Sequence, residues 1–195
     1  MTRRSQTSVP TIDTQSSVKN GIHPLEEEWV ALDVETTGLS SESDTIIEVG
    51  AVKFKGRDIS DTFQSLVNPQ RKLGSFTRRF TGITQKEVEA APLFRSIAGS
   101  LGDFIGDLPI VGHNINFDLG FLAAQGIEIT NPKTDTWDLA YVLRPLSTEY
   151  SLQKLASSFN IPQRRAHRAL EDATVTSRLF YELIDHLESL DVYTL

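Results

Sequence analysis

A nearly continuous apolar run at residues 29–34 constrains the fold of this chain more than any other segment, and Asp33 is its only charged member. The run is short enough for a strand, and a strand of this composition needs cover on both faces. We therefore predict that it is the central strand of an α/β sheet. β-branched and aromatic stretches follow at residues 45–54 and 59–67. A polar turn at residues 55–57 separates them, which predicts an antiparallel meander of three strands.

The rest of the chain reads as helices around a second short strand. Residues 68–82 contain Pro69 and Gly74 and are predicted to be a loop. Thr84 and Glu87 have the spacing of a capping box, and apolar residues recur at helical spacing as far as Ile105, which predicts a helix packed on the sheet. Residues 110–112 are predicted as a buried strand. Further helices are predicted over residues 117–125, 136–143 and 168–187, with another beginning near residue 151. This order of elements indicates an α/β sheet of mixed direction with helices on both faces.

Composition excludes several classes of site and protein. The 195 residues include no cysteine, so disulfides, iron–sulfur clusters and thiolate zinc sites are excluded and a metal would need oxygen or imidazole ligands. A net charge of −7 argues against a broad basic surface for long nucleic acid. No apolar run is long enough for a secretion signal or a membrane span, so we expect a cytoplasmic protein with no membrane partner.

The same patterns divide the chain into segments. Residues 1–24 are rich in Ser, Thr and Gln without periodicity, and we expect a flexible N-terminal tail. Residues 25–190 are expected to form one domain. Residues 191–195 follow the last predicted helix, an end that is compatible with truncation from a longer protein.

Two acids stand at the end of the first apolar strand. Asp33 and Glu35 are two residues apart, so both side chains lie on one face of the strand. Adjacent carboxylates repel unless a cation lies between them or one is protonated. Thr36, Thr37 and Gly38 then predict a sharp turn whose N–H and hydroxyl groups suit a phosphate or nucleotide. A bare pair of acids is also typical of a strand that runs out into solvent, so this motif alone leaves both interpretations open.

Two further motifs combine histidines with acids. His113, Asn114 and Asp118 follow the second buried strand, at the edge where open α/β sheets bind ligands. His167 lies just before the last predicted helix, and Asp172 lies about one turn inside it. Taken singly, Asp118 is explained as an acid favoured by a helix N-terminus, and each histidine as a structural side chain.

Basic clusters border these motifs. Residues 69–86 carry five positive charges and no acid, and Arg164, Arg165 and Arg168 lie beside His167. A run of like charge is commonly a solvated face. Phosphate contacts are the alternative, and they would give a modest, salt-sensitive affinity for nucleic acid.

Together the three motifs resemble those of the DEDDh, or DnaQ-like, exonuclease family over about residues 28–187. The resemblance rests on Asp33-Val34-Glu35-Thr36-Thr37-Gly38, on His113-Asn114 with Phe117-Asp118, and on His167 with Ala169 and Asp172, in this order. It implies an RNase H-like fold: a mixed five-stranded sheet, with a three-stranded antiparallel meander plus parallel strands and helices on both faces. It also implies a 3′→5′ exonuclease that uses two Mg²⁺ or Mn²⁺ ions to release nucleoside monophosphates from single-stranded DNA 3′ ends.

The resemblance further implies a role for each site residue. Asp33 would bridge both metals, while Glu35 and Asp172 would hold the metal nearest the attacking water. Asp118 would support the second metal, and His167 would be the general base, so these residues form the catalytic set. The implied substrate-binding residues are Thr36, Thr37 and Gly38 against the terminal nucleotide, Leu39 and Phe117 against its base or sugar, and His113 and Asn114 around the pocket. Each of these substrate-binding residues, Leu39 and Phe117 included, could equally be scaffold.

Within the family the chain is similar to the epsilon proofreading subunit of bacterial DNA polymerase III and to the domain fused to DinG-type helicases. Phe80-Thr81-Gly82-Ile83-Thr84 and the segment at residues 144–152 favour the helicase-linked group slightly. A role in proofreading or repair, with a polymerase or helicase partner or fusion, follows from this resemblance.

Two alternatives stay open. An exoribonuclease that trims RNA is one, because no motif reads a 2′-hydroxyl. A catalytically silent module that binds nucleic acid or a partner is the other, and the presence of every acid disfavours it.

Overall fold

The computed structural model describes residues 23–190 and contains one five-stranded sheet. Its strands are β1 (Glu28–Thr36), β2 (Ile46–Lys55), β3 (Asp58–Leu66), β4 (Ile110–Gly112) and β5 (Lys133–Asp135), in the spatial order β3-β2-β1-β4-β5. The β1–β2 and β2–β3 pairs are antiparallel, whereas β1–β4 and β4–β5 are parallel. The predicted central strand, meander and mixed sheet are therefore confirmed. Residues 1–22 of the predicted tail and the predicted end at 191–195 lie outside the described residues.

Seven helices surround the sheet within residues 23–190: α1 (Ser75–Thr81), α2 (Gln85–Ala90), α3 (Phe94–Ile105), α4 (Ile115–Ala124), α5 (Thr136–Leu143), α6 (Leu152–Ser158) and α7 (Ala169–Ser189). None of these described helices is long and apolar enough to cross a bilayer. The capping box of Thr84 and Glu87 is present at the start of α2. The single helix predicted from there to Ile105 is two helices, because Ala91 precedes a proline and adopts an extended backbone.

Alternate side chains of β1 belong to different apolar layers. The even-numbered residues 30, 32 and 34 pack in one core with side chains from α3 and α4. Trp29 and Ala31 pack in the other core, against α7. Because side chains alternate across a strand, the next members of this second series, Asp33 and Glu35, also lie on the α7 side of the sheet. The packing that makes β1 central thus carries its two acids towards α7.

The prediction of a loop over residues 68–82 is wrong for its second half, which forms α1. The usual burial pattern of an amphipathic helix is inverted in α1. Its buried residues are Thr77 and Thr81, which are only 7% and 3% exposed. Phe76 and Phe80 are 65% and 47% exposed. A pattern of apolar periodicity assumes that aromatic side chains face the core, so it misses a helix whose threonines do.

The start of α4 also differs from its prediction, at Ile115 instead of residue 117. The backbone N–H groups of Asn114 and Ile115 donate to the carboxylate of Asp135, at 2.9 and 3.0 Å. Asp135 ends β5, a three-residue strand that the sequence pattern did not locate. A capping group supplied from a distant strand therefore sets the first turn of α4, which carries Asp118.

Candidate active site

β1 presents two carboxylates where it leaves the sheet. Asp33 is half-buried and Glu35 is 9% exposed, and their register partners on β2 are Gly50 and Glu48. The register with β2 shifts directly after Glu35, between Glu35 and Thr36. The strand therefore ends its regular pairing immediately beyond the two acids.

The first turn of α4 contributes the third carboxylate. Asp118 is 4% exposed, and its Oδ1 accepts a hydrogen bond of 2.8 Å from the backbone N–H of Val34. Val34 lies between the two acids of β1, so this bond fixes Asp118 beside them. The N-terminal turn of a helix also has a positive partial charge that favours an acid there.

The first turn of α7 and the loop before it contribute the fourth carboxylate and a histidine. Asp172 is 4% exposed; its Oδ2 accepts from the His167 backbone N–H at 2.8 Å and its Oδ1 from the Gln163 amide at 2.6 Å. His167 has a left-handed backbone with φ of 62°. Its ring stacks on Phe80 with a centroid separation of 3.6 Å. Glu35, His167 and Asp172 each offer one ligand atom, and these atoms lie within 4.8 Å of one another.

Burial and mutual repulsion make these acids hard to ionise. Burial raises the pKa of Asp33 well above its usual range, and the carboxylate of Asp118 adds to the effect. Burial and then the carboxylate of Asp172 raise the pKa of Glu35 to about 8. Burial also raises the pKa of Asp118 to about 8 and that of Asp172 to about 6. A divalent cation would relieve the same repulsion, and a cluster of carboxylates suits Mg²⁺ or Mn²⁺.

The imidazole of His167 is suited to accept a proton. Partial burial lowers its pKa below the usual value, so the ring is neutral at pH 7. The carboxylates of Glu35 and Asp172 lie beside it. A proton acceptor next to carboxylates that could hold a cation is an arrangement suited to general-base catalysis of hydrolysis.

An apolar cavity of about 480 Å³ adjoins the acids. Glu35 forms part of its wall, and the predicted substrate residues that line it are Thr36, Thr37, Gly38, Leu39 and Phe117. Phe76 and Phe80 of α1 line it as well. The prediction missed both rings because it treated their segment as a loop. The structure therefore brings five of the seven predicted substrate residues into one space beside the carboxylates.

Asp44 holds the turn that carries Leu39. Its carboxylate accepts from the hydroxyl of Thr37 at 3.0 Å and from the backbone N–H of Ser40 at 3.2 Å. A Cβ at Gly38 would collide with this carboxylate, so any other residue there would displace Asp44 from its two hydrogen bonds. Leu39 is left 88% exposed at the rim of the cavity. The turn thus presents an apolar side chain on a backbone that is tied down on both sides.

His113 and Asn114 do not line the cavity. His113 is engaged inside the protein, Nδ1 with the Thr136 hydroxyl at 2.9 Å and Nε2 with the Tyr150 carbonyl at 2.8 Å. Burial lowers the pKa of His113. Asn114 is exposed and left-handed (φ 62°) at the N-cap of α4. Their contact with substrate stays a prediction, whereas their contacts within the protein support the start of α4.

The sequence pattern does not predict where Glu48 and Arg168 lie. Glu48 is fully buried on β2, in the apolar stretch at residues 46–52. An acid in a buried strand is the signal that drew attention to Asp33, and it would have found Glu48 too. The sequence leaves Arg164, Arg165 and Arg168 open as a solvated face or as phosphate contacts, but the guanidinium of Arg168 turns inward and pairs with Glu48 at 2.7 Å.

Sequence comparison identifies the family of the chain. The family described as exonuclease (RNase T) matches residues 30–180. The chain is 38% identical over 172 residues to the PolC-type DNA polymerase III of Caldanaerobacter subterraneus subsp. tengcongensis. That alignment covers 86% of this chain but only 12% of the polymerase, so the chain spans a small part of this relative's length.

Solved structures share the fold. Exonuclease X in complex with 5′-overhanging duplex DNA has a TM-score of 0.70 and 24% identity, covering 85% of this chain and 95% of that one. E. coli exonuclease I in complex with a dA16 oligonucleotide has a TM-score of 0.68 and 19% identity, covering 84% and 43%. The RNase H-like fold predicted from the motifs is confirmed. With its sequence match and its fold in agreement, the chain belongs to the exonuclease family, and the enzyme class predicted for it, a 3′→5′ exonuclease, is confirmed.

Proposed function

We propose that this site hydrolyses the last phosphodiester bond at the 3′ end of single-stranded DNA and releases nucleoside monophosphates one at a time, with two divalent cations. The observation that carries the proposal is the set of buried carboxylates from three elements, next to a neutral imidazole and an apolar cavity. Hydrolysis of a phosphodiester needs charge stabilisation, a proton acceptor and a place for the terminal nucleotide. The site offers a group for each.

The carboxylates divide between two cation positions. Glu35 and Asp172, whose ligand atoms lie close together, would hold one Mg²⁺ or Mn²⁺ ion. Asp118, fixed on Val34 N–H, would hold the second, and Asp33 would be shared by both. When bound, two cations stabilise the charge on the attacking and leaving oxygens. His167 would take the proton from the attacking water, because its ring is neutral and faces the Glu35–Asp172 side.

The cavity would hold the terminal nucleotide by its apolar faces. Leu39 and Phe76 are exposed at its rim and Phe117 lies in its wall. Every nucleobase has a face that can stack, so such a cavity accepts bases without regard to sequence. Solved structures of this fold contain DNA, in exonuclease X with a 5′ overhang and in exonuclease I with dA16. Both support a DNA strand as the substrate.

Basic side chains near the cavity would contact the phosphates. Arg78 and Arg79 lie in the last turn of α1. The guanidinium of Arg165 lies against Gly82, directly after that helix. Salt should therefore weaken substrate binding.

The cellular role follows from the relatives. The similarity to a PolC-type polymerase supports removal of misincorporated nucleotides during DNA replication. A polymerase or helicase partner, and a cytoplasmic location, stay predictions from the sequence.

The first prediction concerns product and metal. A 5′-labelled single strand should give a descending ladder of products, and a blocked 3′ end should prevent it. EDTA should abolish the activity, and Mg²⁺ or Mn²⁺ should restore it. Asp33→Asn should lower the rate by at least ~10²-fold, since it removes the ligand shared by both cations.

The control for Asp33→Asn is Asp185→Asn, because Asp185 is an exposed acid of α7. This variant should keep the wild-type rate. Cleavage of a circular single strand would contradict the exonuclease reaction. Faster digestion of RNA than of DNA, measured side by side, would favour the exoribonuclease alternative.

The second prediction concerns pH and stability without metal. The pKa values of Glu35 and Asp118 are about 8 in the folded protein, whereas acids in an unfolded chain have pKa values of about 4. Between these values the folded state holds protons that the unfolded chain has released, so the free energy of unfolding falls as pH rises. The lowered pKa values of His113 and His167 act in the opposite direction, but only at or below about pH 6.5.

Thermal unfolding in EDTA should therefore show a melting temperature that decreases from pH 7 to pH 9. Mg²⁺ should raise the melting temperature more at pH 9 than at pH 6, because metal binding replaces the protons on the carboxylates. A metal-free protein that is equally stable at pH 7 and pH 9 would contradict the shared burial of these acids.

The third prediction separates two roles of His167. If His167 is the general base, His167→Ala should lower kcat by about 10²–10⁴-fold and leave the Mn²⁺ affinity close to that of wild type. A metal ligand would instead weaken Mn²⁺ binding in the same variant. Titration calorimetry with Mn²⁺ and single-turnover rates on one preparation distinguish these outcomes, and an unchanged rate per folded molecule would rule out both.

The fourth prediction concerns the cavity. Phe76→Ala and Leu39→Ala each remove an exposed apolar side chain and should raise KM for a DNA oligonucleotide about tenfold, the value of one stacked base. The matched control is Val142→Ala, since Val142 is 73% exposed but outside the cavity lining. Equal KM values in all three variants would show that the base binds elsewhere.

A further inference from the structure

A fifth carboxylate lies next to the site without belonging to the predicted catalytic set. Glu48 of β2 is fully buried and is the register partner of Glu35. Its oxygens accept from Nε and Nη2 of Arg168 at 2.9 and 2.7 Å, from the Ala169 backbone N–H at 3.1 Å and from the Gln64 amide at 2.8 Å. A buried charge is tolerated when it is paired and hydrogen-bonded in this way.

Two of these donors belong to the beginning of α7. Arg168 is the N-cap residue of this helix and Ala169 is its first residue. The side chain of Arg168 makes no capping bond of its own and turns back to Glu48. The first N–H groups of a helix lack partners within the helix. Glu48, a residue of strand β2, therefore caps the N-terminus of α7.

Gly50 completes the contact between β2 and α7. It lies two residues after Glu48 and so on the same face of the strand. A Cβ at Gly50 would collide with the backbone of Ala169 and Leu170. The backbone of α7 thus rests directly on the strand, and the side chain of Glu48 holds it there. We refer to Glu48, Gly50 and Arg168 as the β2 seat.

The helical turn on this seat carries the chemistry of the site. His167 directly precedes Arg168, and the N–H of Asp172 donates to the Arg168 carbonyl at 2.9 Å. The backbone N–H of His167 donates in turn to the Asp172 carboxylate. A displacement of Arg168 would therefore move both the imidazole and the carboxylate relative to Glu35.

We propose that Glu48 is a positioning residue of the exonuclease site: the β2 seat fixes the first turn of α7 so that His167 and Asp172 meet Glu35. The bidentate contact with Arg168 sets orientation as well as distance, which a single charge contact would not do. The pair also neutralises a fifth carboxylate beside four others. The inference rests on the proposed function for its kinetic readout, but its structural readout is independent.

The test compares Glu48→Gln and Arg168→Lys with a matched control, Glu182→Gln. Glu182 also ties α7 to the β-strand layer, through an ion pair of 2.6 Å with Arg57 in the turn between β2 and β3, but it lies far along the helix from Asp172. We expect both seat variants to lower kcat and Mn²⁺ affinity by about 10–100-fold, as for other groups that orient a metal ligand. KM for a DNA oligonucleotide should stay within about twofold, and the control should match wild type.

Hydrogen exchange of the metal-free protein gives a readout that does not depend on activity. The amides of His167 and Asp172 should exchange faster in the seat variants than in wild type, and those of the control should not. Unchanged exchange at both amides would overturn the proposal. If wild type digests no nucleic acid, the proposed function fails, while hydrogen exchange and Mn²⁺ affinity still decide the role of the seat.

A double variant separates positioning from stability. Glu48→Met with Arg168→Met replaces the buried pair by apolar side chains, which commonly restores stability. We expect its melting temperature to approach that of wild type while kcat stays low. Recovery of both would show that the pair only stabilises the fold. A KM raised tenfold or more in Arg168→Lys but not in Glu48→Gln would assign Arg168 to substrate phosphate instead, and either result would overturn the proposal.

Discussion

Several carboxylates share one buried space at the end of β1, and the surrounding elements must hold these side chains together despite their mutual repulsion. The two acids that helices contribute are each held in place by a backbone N–H. Val34 N–H holds Asp118, and His167 N–H holds Asp172. Both acids stand in the first turn of a helix, where the helix dipole favours negative charge. Burial raises the pKa of all four acids, and repulsion by neighbouring carboxylates adds to it at Asp33 and Glu35; a bound cation would offset both costs.

Stability and chemistry are separated along the length of β1. Its first part supplies two apolar cores, one against α3 and α4 and the other against α7. Its last residues exchange apolar side chains for acids on the α7 side only, while Val34 remains in the core on the other. Because the first part of β1 is packed on both faces, the end of the strand can carry charges that are unfavourable for stability.

The central strand could be predicted because its signal is local, and the acids of the site because three local motifs occur together, since each motif alone also has a structural explanation. An acid that interrupts an apolar strand, or a histidine one turn before an acid, is visible in a few residues, as at Asp33 and His167. Other features depend on partners distant in sequence. Arg168 looks like a free cation until β2 places Glu48 beneath it, 120 residues away. The helix α1 is hidden for a different reason, since its aromatic side chains face outward and no apolar stripe marks its core side.

This reversed arrangement of α1 has an evolutionary consequence. Thr77 and Thr81 anchor the helix, and Thr77 also donates to the carbonyl of Thr37 in the neighbouring turn. Phe76 projects from it and is 65% exposed, whereas Phe80 stacks on the His167 ring. Exchange of the Phe76 ring removes a largely exposed side chain, so mutations at this position cost little stability. Substrate range can thus drift through Phe76 in a lineage of such proteins while Phe80, His167 and the acids below stay fixed.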